Sequence, residues 1–220
     1  MTLLRWPGTK RQGRIRAGEK DSAAKRWNKP VIGVMAIIAA LLLTGCGSLS
    51  PAPRVYVLGY PMPPAVTVRS ETGLPIAELK TVSIPDYLDS TDILRRTGPN
   101  EITASPTGQW GERLSRGLTD ALASALSKRL PDLVVTTAPT ATPAHRIFVD
   151  IESLDIGTEG RCLLEGRWRI TDDNRQNSST NGQGLFSETA ASIDDSAVVM
   201  ALTRIVDQLA EQVAKTSGLE

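Results

Sequence analysis

The chain has 220 residues, with 25 Lys and Arg against 24 Asp and Glu, a single His and two Cys. Two cysteines exclude a disulfide-stapled scaffold, and one His with no Cys or acid at ligand spacing does not make a metal site. The near-neutral total hides an asymmetry: residues 1–45 hold nine Lys and Arg and two acids, so residues 46–220 carry 16 basic against 22 acidic side chains, a net charge of −6 that argues against nucleic acid as a partner.

Residues 1–24 form a long, polar, basic lead. Lys25, Arg26 and Lys29 then precede thirteen uncharged residues, Val31 to Leu43, which run into Leu43-Thr44-Gly45-Cys46. A basic lead, a short apolar run and small residues at a cut site make a secretory signal. Cys46 directly after Leu-Thr-Gly resembles the lipobox of bacterial lipoproteins. That resemblance implies cleavage between Gly45 and Cys46, with acyl groups on the Cys46 thiol and on the new amino terminus. The physics agrees. A comfortable membrane span needs about 20 apolar residues, so this run is a poor permanent anchor. Each buried methylene contributes about 0.8 kcal/mol and one chain binds reversibly, so several chains give a lasting hold. An uncut signal-anchor helix, or an ordinary signal with a Cys nearby by chance, are the alternatives.

The expected organisation is a signal peptide over 1–45, a lipidated Cys with a short Ser/Pro tether over 46–53, and one folded domain over 54–220. Gly47, not Asp, follows Cys46. In lipoproteins of two-membrane bacteria an Asp there usually retains the protein at the inner membrane. By resemblance, Gly47 implies export to the outer membrane, lipid-anchored and periplasm-facing. No cofactor is expected beyond the covalent lipid on Cys46.

Arg54 to Tyr60 (RVYVLGY) is apolar on both alternating faces, which predicts a first strand inside a sheet. Ile76 to Ile84 is a second strand, broken at Pro85-Asp86. Ile93 to Arg96 and a strand starting at Glu101 flank a Gly98-Pro99-Asn100 turn and predict a hairpin. Ser105 as N-cap and Pro106 at the first helical position predict a long helix. Its stripe is Trp110, Leu114, Leu118, Leu122, Leu126 and Leu130, and Pro131 stops it. A short strand spans Leu133 to Thr137. Arg146–Ile156 and Arg161–Thr171 alternate apolar and charged residues and predict a hairpin turning over Gly157–Gly160. That register sets Val149 opposite Trp168 and Asp150 opposite Arg167, with a bulge near Ser153. Thr171–Asn181 is a polar loop and Gly184–Ala190 another strand. A last helix begins at Ile193-Asp194-Asp195, carries Val198, Leu202, Ile205, Val206, Leu209 and Val213 inward, and ends at Gly218. Cys162, in a strand, is expected to be a buried thiol, and His145 a surface residue.

Together these elements predict one α+β domain, a mostly antiparallel sheet with two long amphipathic helices packed on one face. Catalytic motifs are missing: no G-x-S-x-G elbow, no Ser/His/Asp set beyond His145, no P-loop and no zinc spacing. Gly182-Gln183-Gly184 is too short for a phosphate cradle. The chain is expected not to be an enzyme.

Two stretches carry a family resemblance: VSIPDYLDSTDILRRTGPNEI with the following QWGERLSRGLTDALASAL, and IFVDIESLDIGTEGRCLLEGRWRITD. With the lipobox they resemble the ABC-type transport auxiliary lipoproteins, the PqiC-like or YmbA-like group. The matching positions are Ile84, Pro85, Asp86, Tyr87, Leu88, Asp89, Asn100, Glu101, Trp110, Glu112, Leu114 and Trp168; Ile84 stands for Val, and Gln109 stands where Arg is common. The resemblance implies a docking subunit that assembles as a homo-oligomeric ring and receives an MCE-type tunnel protein of an intermembrane lipid transport system, supporting envelope integrity. Asp86, Tyr87, Leu88, Asp89 and Trp110 are the candidate partner surface, the competing reading being a structural role, with Tyr87, Leu88 and Trp110 in the core. A lipid- or small-molecule-carrying lipoprotein, or a structural envelope lipoprotein, are the competing roles.

Overall fold

The structure is a computed structural model and describes residues 52–59, 73–172 and 178–218. The predicted signal peptide, its predicted cut site at Gly45 and Cys46, and Gly47 lie outside the described residues. The body contains eight strands, two α-helices and one 3-10 turn among the described residues. In chain order these are β1 (Arg54–Tyr56), β2 (Ile76–Leu79), the turn Asp86–Leu88, β3 (Asp92–Gly98), β4 (Glu101–Trp110), α1 (Leu114–Arg129), β5 (Val134–Thr136), β6 (His145–Ile156), β7 (Arg161–Asp172), β8 (Ser178–Thr189) and α2 (Asp195–Ser217).

Two sheets result, one of three strands in the order β1-β4-β3 and one of five in the order β5-β2-β6-β7-β8. The fold class is the predicted α+β. The sheets are mixed: β1 with β4, β2 with β5 and β2 with β6 pair in parallel, while the long ladders β3–β4, β6–β7 and β7–β8 are antiparallel. The sheets meet where Arg96 of β3 bridges Gly157 and its guanidinium pairs with Asp155 at 2.7 Å.

The β6–β7 hairpin forms as its alternation demands. Val149 faces Trp168, Asp150 faces Arg167, and the register shifts between Ile151 and Ser153. Ile147, Val149, Ile151, Cys162, Leu164, Trp168 and Ile170 are buried beneath the helices, while Arg161, Glu165, Arg167 and Arg169 face water. The stripe of α2 is buried from Val198 to Ala214, and Gly218 closes the helix in the left-handed region at φ 63°. Each helix also plants a buried threonine on a distant strand segment. The Thr119 hydroxyl accepts the Val82 N–H at 2.9 Å, and the Thr203 hydroxyl accepts the Gly59 N–H at 3.3 Å.

Three expectations are corrected. The predicted central first strand, whose Tyr60 lies outside the described residues, is a three-residue edge strand with Val55 and Val57 exposed, and the chain beyond it turns at Gly59, at φ 94°, far from extended backbone. Ser105-Pro106 does not open a helix. Both residues lie in β4, between the Leu94–Ala104 and Asp92–Gln109 pairs, where the ladder register shifts. A bulge tolerates a proline because the ladder needs no donor there. The helix starts at Leu114, and Trp110 ends the strand instead of heading the helical stripe. The polar stretch Thr171–Asn181 is shorter as a connection than expected, since β7 runs to Asp172 and β8 starts at Ser178.

Candidate docking surface

The predicted surface residues separate into three kinds. Leu88 and Trp110 are interior, each 4 % exposed, and together with Leu94, Leu114, Leu154 and Ile156 they line a void of about 10 Å³. That is space for one water at most, not for an acyl chain. Asp89 is a structural ligand of the backbone. Asp86 and Tyr87 face outward, Tyr87 with about half its surface (52 %) in contact with water.

Asp89 does the work expected of Ser105. Helix α1 begins at Leu114, and the side chain before it, Arg113, makes no capping bond. Four N–H groups at a helix start lack intrahelical partners. Here the Ser115 N–H donates to Asp89 Oδ1 at 3.2 Å and the Leu114 N–H donates to the Ser90 carbonyl at 3.1 Å. Arg113 reaches back with Nε on Asp89 Oδ2 at 3.1 Å and a terminal nitrogen on the Asp89 carbonyl at 2.7 Å. Burial acts to raise the Asp89 pKa, but the bonds from Ser115 and Arg113 outweigh it and hold the carboxyl below its ordinary value. The Pro-Asp-Tyr-Leu-Asp turn is therefore a device that docks the start of α1. Tyr87 is the large residue in it that packing leaves unused.

A second polar centre was not anticipated. Asp195, in the first turn of α2, is 4 % exposed and accepts from Arg95 of β3 at 2.7 Å, Ser105 at 2.8 Å and Thr107 at 2.6 Å, both of β4. A Cβ at Gly108 would stand 2.6 Å from Asp195 Oδ2, so the bare backbone of β4 makes room for the carboxylate. Burial works to raise its pKa, and the Thr107, Arg95 and Ser105 donors overcome that and lower it. The acids at the start of α2 were legible as helix-start residues; that one of them would be a cross-sheet clasp was not, because its donors lie about 90 to 100 residues upstream.

Cys162 is fully buried, and burial pushes its thiol up to about 11, with Arg95 and Arg204 only partly opposing. Such a group is a packing residue, as expected, not a nucleophile. His145 is half-buried at the first position of β6. Among the described residues no three His, Cys, Asp or Glu cluster as metal ligands, and no helix is long and apolar enough to cross a membrane.

The likeness to solved structures is one of fold. A crystal structure of an uncharacterized protein superposes with a TM-score of 0.63 at 17 % identity, over 74 % of this chain and 97 % of that one. A crystal structure of a protein from Xanthomonas campestris gives 0.55 at 16 % identity, over 76 % and 92 %. In sequence, the intermembrane transport lipoprotein PqiC of Escherichia coli strain K12 is 25 % identical over 133 residues, 60 % of this chain and 71 % of that protein, and the Shigella flexneri PqiC matches equally. The model of the ABC-type transport auxiliary lipoprotein component family matches residues 56–214, from β1 almost to the end of α2. The chain belongs to that family, and is an auxiliary lipoprotein of transport.

Proposed function

We propose that this lipoprotein is held at the periplasmic face of the outer membrane by acyl chains on Cys46 and serves as the docking subunit for an MCE-type protein reaching across from the inner membrane. The body assembles as a ring of identical copies around the docked tip. The observation that carries the reading is the division of labour in the Asp86–Asp89 turn. Leu88 and Asp89 are consumed by core packing and by the start of α1, while Tyr87 projects into solvent from a segment too well tied down to be a mobile loop. A large aromatic side chain on a rigid support is the kind of residue that dominates protein interfaces. Its relatives in name, the PqiC proteins, are intermembrane transport lipoproteins.

Placing a photo-crosslinking phenylalanine analogue at position 87 in living cells tests this. A crosslinked product containing an MCE-domain protein supports docking. Products containing only other envelope proteins, or only this chain, count against it. Crosslinks to further copies from other exposed positions would report the ring.

A further inference from the structure

We propose that the edge of β8, unpaired among the described residues, and the C-terminal half of α2 form a groove that takes an extended polypeptide segment of a partner protein as an added strand. This inference does not rest on the docking role of Tyr87.

The first observation is the edge itself. β8 is the outer strand of the five-stranded sheet and pairs with β7 through twelve consecutive registers without a shift. Long edges are normally protected by lysine, proline, bulges or a covering element, because their unpaired N–H and C=O groups template another strand. The β8 sequence, SSTNGQGLFSET, has no lysine, arginine or proline. Its one charge, Glu188, is engaged by Arg204 at 3.1 Å and Gln208 at 2.6 Å on α2.

The second observation is the groove. An open cleft of about 550 Å³ runs between this edge and α2, with Trp168, Gly182 and Phe186 on the sheet side and Gln208, Gln212 and Thr216 on the helix side. The helical wall is polar, two amides and a hydroxyl beside the Glu211 carboxylate that Lys215 pairs at 2.6 Å, and hydrogen-bonding groups of this kind suit a peptide backbone and not an acyl chain. Gly182 and Gly184 keep the strand bare: a Cβ at 182 would stand 2.3 Å from the Trp168 ring, and one at 184 would stand 2.9 Å from the Phe186 ring.

The third observation is an orphan donor. Trp168 is 5 % exposed, yet its Nε1–H has no hydrogen-bond partner among the described residues. The indole crosses from β7 over Gly182, with Nε1 on the ring edge nearest that glycine and so toward the cleft. A buried N–H left unpaired costs about 1–3 kcal/mol. A carbonyl of an added strand satisfies it. The arrangement, an edge strand facing a helix across a groove, is that of strand-addition peptide sites.

The test uses full-length protein in detergent micelles with nitrogen-labelled tryptophan, and a capped peptide of alternating valine and threonine flanked by lysines. The expected result is a saturable shift of the Trp168 indole N–H, unchanged for Trp110, and lost when alternate peptide nitrogens are methylated. Trp168→Phe should weaken binding about tenfold, the loss of one buried hydrogen bond. Gln212→Trp, at an exposed helix position, should fill the groove and abolish binding without altering the thermal unfolding of the protein. The proposal is overturned by no shift, by equal binding of the methylated peptide, by a shift that tracks protein concentration without peptide (a second copy on the edge), or by a shift given only by lysophosphatidylglycerol.

Discussion

Arg95 and Asp195, one hundred residues apart, meet at 2.7 Å with 17 % and 2 % of their side chains exposed, and this pair fastens the last helix to the smaller sheet. Removing one partner of such a pair strands the other, which is why Asp195→Ala should cost about 3 kcal/mol, while Asp195→Asn, keeping acceptor and size, should cost less. Urea unfolding followed by circular dichroism measures both. Equal, negligible losses would show the clasp to be ornamental.

The same carboxylate sets an acid limit. Its folded pKa is lowered from 3.8 and so is that of Asp89. A lowered folded value means the stabilisation is fully present above the ordinary carboxylate range and fades as pH falls through the lowered values. Stability should therefore decline below about pH 4. Asp195→Asn should flatten that decline, as a pH series of unfolding midpoints would show.

Asp89→Ala removes a helix-start acceptor and should destabilise by about 1 kcal/mol, within the range of N-cap losses. Arg113→Ala should cost less, since its side chain is 67 % exposed and water replaces the pair. An Arg113 effect exceeding that of Asp89 would invert the hierarchy derived for this turn.

Within the same turn, Leu88→Ala should cost about 2–5 kcal/mol as a core truncation. Tyr87→Ala should change stability by less than about 0.5 kcal/mol while impairing complementation in cells lacking the native gene. If Tyr87→Ala supports full complementation, the exposed aromatic is not a contact.

Gly182→Ala thrusts a methyl group into the Trp168 ring and should destabilise by about 1–3 kcal/mol through overpacking. Trp168→Leu in the same chain should recover part of that loss. Additive losses in the double variant would mean the two positions do not share space.

The sequence made the β6–β7 hairpin legible down to its residue pairs because a one-sided sheet prints its register as alternation, and the bulge at Ser153 showed as a slip in that phase. The last helix was legible for the same reason at a different period. What failed was local grammar in a non-local setting. Ser105-Pro106 has the form of a helix start, and Trp110 extends the leucine stripe backward by one step. Yet the true acceptor for the helix start, Asp89, lies 26 residues before Ser115. Likewise RVYVLGY looks interior because it is apolar, although its valines end up at an exposed edge. Of the predicted surface, Leu88 and Trp110 carried the family resemblance because the fold needs them inside, and no periodicity distinguishes that from a contact.

Strand β2 lies between β5 and β6, parallel to both, and both are made later in the chain. Neither pairing is a hairpin, so Ile76–Leu79 has no neighbour in its sheet until Val134–Thr136, and then His145–Ile156, have been made. During that interval its apolar side chains are open to the first suitable surface. The chain ends that exposure itself, as the two later strands close around the segment.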